Sequence, residues 1–125
     1  MAELLFSFAA KNIQKYILKS DKLKEMVGAS ELIDKLCRKN GFLQNCMEGL
    51  GISSDQYEFI SQAAGWAKIK FKNEIDAEIL YKYWPLAVSL YAPGLHIVQN
   101  LIPIDTTLSN AIIESEKQLT LQRYM

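Results

Sequence analysis

Histidine occurs once in these 125 residues, cysteine twice and proline three times, and each scarcity closes a class of chemistry. A single imidazole, His96, excludes any mechanism that needs two, and its place in a strand-like run marks it as a structural side chain. Cys37 and Cys46 have no second pair, so neither a zinc motif nor a disulfide framework is indicated. Buried free thiols in a reducing compartment are the expectation. Walker-type phosphate loops and Gly-x-Gly-x-x-Gly motifs are missing. So is any apolar run of about 18 residues, the length a membrane span requires. Met1 leads into a strand-like run and not into a signal peptide, and a cytoplasmic location is expected. An excess of one charge is lacking too, with 14 basic and 14 acidic side chains, so no global field draws in nucleic acid. Residues 1–40 alone lean basic: Lys11, Lys15, Lys19, Lys22, Lys24, Lys35, Arg38 and Lys39 against five acids, the pattern of a solvated helix face.

What the chain does contain is apolar material for one core, at 50% hydrophobic and 22% charged residues, as in an ordinary globular domain. Leu4–Phe8 reads as a buried strand. Asn12 caps a helix over Ile13–Lys19, Ser20 and Asp21 begin a lysine-rich connection, and Gly28-Ala29-Ser30 opens a second helix that Gly41 stops. Residues 40–56 read as a loop with a turn or two of helix. Tyr57–Ile60 and Ala67–Lys72 alternate as strands, the second with Ile69 and Phe71 in and Lys68, Lys70 and Lys72 out. Asn73 and Asp76 form a capping pair for a helix over Glu74–Tyr91, which Pro85 should kink or break near Tyr83–Trp84. Pro93-Gly94 is a turn, Leu95–Ile102 a fourth strand, and Thr107–Arg123 a last helix whose Ile112, Ile113 and Leu119 need cover. That helix has no stop signal before Met125, so a longer chain or a partner is expected.

The order β-α-β-β-α-β defines an α+β, ferredoxin-like fold: a four-stranded antiparallel sheet with its helical crossovers on one face. Such sheets serve RNA-binding modules, metal chaperones, ligand sensors and the palm domains of polymerases and cyclases. The RNA-recognition strand motif and the Cys-x-x-Cys of the chaperones are both missing. A catalytic palm holds acids at the end of its first strand and at its central hairpin, where they bind two divalent ions. Here those places carry Ala9 and Ala10, and the hairpin tip within Ser61-Gln-Ala-Ala-Gly-Trp-Ala-Lys68. Alanine cannot ligate a hard cation, and Glu58 alternates to the opposite face, so no catalytic or metal residue is assigned.

Ile13-Gln14-Lys15-Tyr16-Ile17, Lys22-Leu23-Lys24 and Gly28-Ala29-Ser30-Glu31-Leu32-Ile33 resemble, in motif and spacing, the start of the first palm domain in the large subunit of type III CRISPR effector complexes. The resemblance implies a single palm-like domain over residues 1–125, the N-terminal part of a longer chain. It would act in antiviral defence as scaffold and as part of a nucleotide (ATP) pocket. The implied nucleotide contacts are Gly28, Ala29 and Ser30, whose free helix-start N–H groups suit a phosphate, and Ala64, Gly65 and Trp66 at the hairpin. A second palm or a homodimer, CRISPR effector subunits and guide RNA are the implied partners, with no membrane. The domain alone needs no cofactor; ATP with magnesium or manganese belongs to the parent protein, which would be a cyclic oligonucleotide synthase. Two other readings stand beside it: a small nucleotide cyclase working as a dimer, and a ferredoxin-like ligand-sensing or interaction module.

Overall fold

The computed structural model describes residues 3–19, 22–38, 41–63, 65–105 and 107–123. The elements are β1 (Leu4–Lys11), α1 (Ile13–Ile17), α2 (Leu23–Cys37), α3 (Phe42–Gly49), β2 (Tyr57–Ala63), β3 (Trp66–Phe71), α4 (Glu74–Tyr91), β4 (His96–Pro103) and α5 (Leu108–Arg123), with a 3-10 turn over Ser54–Gln56. The strands form one antiparallel sheet in the order β2-β3-β1-β4. This is the ferredoxin-like palm arrangement that the element order implies. The Ser20–Asp21 connection lies outside the described residues.

Strand parity divides the sheet. Leu4, Phe6 and Phe8 of β1 and Ala67, Ile69 and Phe71 of β3 join one apolar cluster with Ile33, Leu36 and Cys37 of α2 and Ala77, Leu80, Trp84 and Val88 of α4. Trp84 is fully buried, with its ring centroid 5.0 Å from that of Phe8. Burying such side chains is what holds the crossover helices down, at about 1.5–3 kcal/mol each. The alternate residues face the other way. Leu5, Ile102 and Ala111 form a second, smaller cluster under α5, whose Ala111, Ser115 and Leu119 are buried at helical spacing.

One helix expectation holds and the break expected at Pro85 does not occur. Asn73 caps α4, its Oδ1 accepting the Asp76 N–H at 2.9 Å. Pro85 does not break α4, which runs unbroken from Glu74 to Tyr91. A proline frees the carbonyl four residues earlier, here that of Tyr81, and Gln99 of β4 donates to that oxygen at 2.9 Å.

Three expectations are corrected. Gly28-Ala29-Ser30 does not open α2, which begins at Leu23 after an N-cap at Lys22. The stripe Met26, Ala29, Ile33, Leu36 and Cys37 carries the helix straight through the glycine. Gly41 does not stop α2, which ends at Cys37; it is the N-cap of α3, and a Cβ there would collide with the Lys35 carbonyl. Lys68 does not point to solvent. It is 5% exposed, because α5 covers that face and places Glu116 against its ammonium.

One irregularity interrupts β2. Phe59 pairs with Ile69 but Ser61, not Ile60, pairs with Lys68, the sign of a β-bulge.

Candidate functional site

The end of β1 and the tip of the β2–β3 hairpin meet, as a palm requires. Ala9 lies opposite Trp66, and the Ala10 N–H donates to the Gly65 carbonyl at 2.6 Å. Gly65 has φ +83, and a Cβ on it would stand 3.0 Å from Ile13 Cδ1 and 3.5 Å from Ile33 Cγ2. A side chain would therefore be strained by backbone and by packing alike. The close approach that glycine permits is internal: the tip seats against α1 and α2. The buried Cys37 thiol lies beneath it. Burial pushes that thiol up to about 12, while the backbone N–H groups of Gly65 and Trp66 pull the other way. Ala64 lies outside the described residues.

Gly28, Ala29 and Ser30 occupy the middle of α2, so their N–H groups belong to its hydrogen-bond ladder and offer no phosphate cradle. Gly28 meets open space. Ala29 lines an open groove of about 650 Å³ with Tyr16, Ile17 and Pro93. Ser30 lines a separate hollow of about 410 Å³, floored by Ile13, Ile17 and Ile33 and rimmed by Glu31 and Asp34. Ile13 and Ile33 touch both this hollow and the Gly65 position. Ser30 and Gly65 thus stand on two sides of one aliphatic wall, whereas Gly28 stays apart.

Trp66 is 36% exposed and opens onto a third space. Between α5 and the sheet lies a cleft of about 280 Å³ lined by Ala9, Ser61, Trp66, Lys68, Ile112 and Glu116. The Lys68 ammonium is 6.0 Å from the Trp66 ring centroid. No carboxylate stands where a palm would hold a cation: Ala9 and Ala10 lie just before the last residue of β1, and Glu58 is exposed on β2, opposite Lys70. Among the described residues no three His, Cys, Asp or Glu side chains gather as a metal site would need. No helix among the described residues is long and apolar enough to cross a membrane.

Comparison with protein-family models gives no match, and comparison with curated protein sequences gives none either. Solved structures do match. The Csm1-Csm4 cassette in complex with cA4 superposes with a TM-score of 0.79 at 12% identity, over 95% of this chain and 19% of that one. The Csm1-Csm4 subcomplex in the type III-A CRISPR-Csm interference complex gives the same figures. Csm1 in T. onnurineus gives 0.68 at 18% identity, over 98% of this chain and 20% of that one.

The chain has a Csm1-like palm fold.

It spans about a fifth of the length of those Csm1 chains. On this Csm1-like palm, sequence reasoning found the hairpin and β1 end but missed Ser61, Lys68 and Glu116 in the cleft. The sequence signal for Glu116 was the α5 stripe Ala111, Ser115 and Leu119 beside it, whereas the pairing of Ser61 with Lys68 depends on the β2 bulge.

Proposed function

We propose that this chain is the non-catalytic palm module of a type III CRISPR large subunit, serving as scaffold and as one wall of an ATP pocket in antiviral defence. The observation that carries the reading is the junction of Ala9, Ala10 and Gly65 beside the Ser30 hollow. It has the backbone geometry of a palm site and none of its oxygen donors. These side chains do not fit magnesium or manganese, so the metal chemistry falls to a second palm, in the same parent chain or in a partner. The hollow of about 410 Å³ suits an adenine. Its faces would lie on Ile13, Ile17 and Ile33, and its edge nitrogens would reach the Ser30 hydroxyl and the Glu31 and Asp34 carboxylates. Trp66 and the hairpin tip would face the neighbouring palm, within an assembly of effector subunits and guide RNA.

Incubated with ATP and magnesium or manganese, the isolated chain should release no linear or cyclic oligonucleotide; product formation would sink the non-catalytic assignment. ATP at about 100 times its dissociation constant should stabilise the chain by about 2.7 kcal/mol, and Ser30→Trp, which fills the hollow from an exposed position, should remove that gain. A stabilisation that Ser30→Trp leaves intact places ATP elsewhere.

A further inference from the structure

On the side of α1 away from the Ser30 hollow lies a second concavity of about 290 Å³, lined by Lys11, Asn12, Lys15, Tyr16, Lys19 and His96 around Gly94. Its walls come from β1, α1, the α4–β4 turn and β4. Asn12 sits in the left-handed region at φ +56, a conformation asparagine tolerates, and there the chain turns from β1 into α1. Lys11 faces His96 across the β1–β4 ladder. Lys19 leans over the turn, its ammonium 3.4 Å from where a Gly94 Cβ would stand.

The charges here differ from other lysines of the sheet. Lys68 pairs with Glu116 and Lys70 with Glu3. Among the described residues Lys11, Lys15 and Lys19 have no carboxylate partner, and no acid lines the hollow. In a chain of zero net charge three ammonium groups share one concavity with a phenol, an amide and an imidazole. Like charges held together repel, and a bound polyanion relieves the repulsion while the phenol and the amide supply hydrogen bonds. We infer that this hollow binds closely spaced phosphate groups, as carried by the backbone of single-stranded RNA or by free polyphosphate. The inference stands whether or not ATP occupies the Ser30 hollow.

The test titrates the full chain with a fluorescent oligouridylate and, separately, with tripolyphosphate over a range of salt. For a single strand each neutralised phosphate contributes a log–log salt slope of about −0.7. Three lysines therefore predict a slope of about −2 and a roughly 20-fold loss of affinity between about 50 and 200 mM salt. The Lys15→Gln/Lys19→Gln variant should bring the slope to about −0.7, Lys15→Arg/Lys19→Arg should keep the parent slope, and Lys82→Gln on α4 should change nothing. On the unaltered chain, either ligand should protect Lys11, Lys15 and Lys19, but not Lys82, from acetylation. Binding of oligouridylate alone assigns the hollow to a nucleic acid backbone, and binding of tripolyphosphate alone to a compact polyphosphate. Binding of neither, an unchanged slope in the double glutamine variant, or no protection of these three lysines overturns the inference.

Discussion

Beneath α2 and α4 the sheet presents Phe6, Phe8, Ile69 and Phe71, all buried, whereas beneath α5 it presents Leu5, Ser7, Lys68 and Asn100, buried too. The first face is held by many small, non-directional contacts, no one of which is indispensable. The second relies on a few specific ones. Lys68 meets Glu116, and Asn100 exchanges two hydrogen bonds with Ser115, one to its carbonyl at 3.1 Å and one from its hydroxyl at 3.0 Å. It also leaves a cleft of about 280 Å³ unfilled and the Ser7 hydroxyl without a partner among the described residues. The difference ranks the helices. Detaching α4 exposes a large apolar surface, while detaching α5 also hands polar groups back to water, so α5 should open at lower free energy than α4.

The largest effect that can break this contrast is on the apolar face. Trp84→Ala should destabilise the chain by about 3–5 kcal/mol, read from chemical unfolding; a loss below about 1 kcal/mol would mean that the ring is not part of the core. On the polar face, Glu116→Ala leaves a buried ammonium unpaired and should cost about 1–3 kcal/mol, toward the lower end because Glu116 is itself half exposed. Lys68→Met with Glu116→Leu should recover most of that loss. Additive losses in the double-mutant cycle would show the pair to be uncoupled, and amide exchange should find α5 less protected than α4. The smallest effect concerns the directional contact at the start of α4. Asn73→Ala should cost about 1 kcal/mol and speed exchange in the first turn of α4 only; faster exchange throughout α4 would give the cap a larger share in docking that helix than the apolar face allows.

The same contrast explains how far the sequence could be read. Residues on the apolar face advertised themselves through alternation in Ile69 and Phe71 and through the Asn73–Asp76 cap, because local chemistry and tertiary burial agree there. Lys68 was misread because its local pattern signals solvent and only α5, some forty residues later, buries it. Gly28 was misread because a glycine lowers helix propensity by about 1 kcal/mol, less than the stripe from Met26 to Cys37 restores through packing. The hairpin tip was located correctly, but its glycine serves Ile13 and Ile33, a contact that no local pattern reveals. That α4 runs on through Pro85 could not be read without Gln99, which reaches the orphaned Tyr81 carbonyl from β4.

The bulge in β2 has a consequence for the cleft beside Trp66. Paired without the bulge, the same residues would set Ile60 opposite Lys68 and Ser61 opposite Ala67, turning the Ser61 hydroxyl toward the apolar core. A branched hydrocarbon would then take the place of an alcohol on the cleft wall, with no substitution at either position. The register of β2, and not its composition alone, therefore decides whether a hydroxyl or a hydrocarbon stands beside Lys68 on that wall.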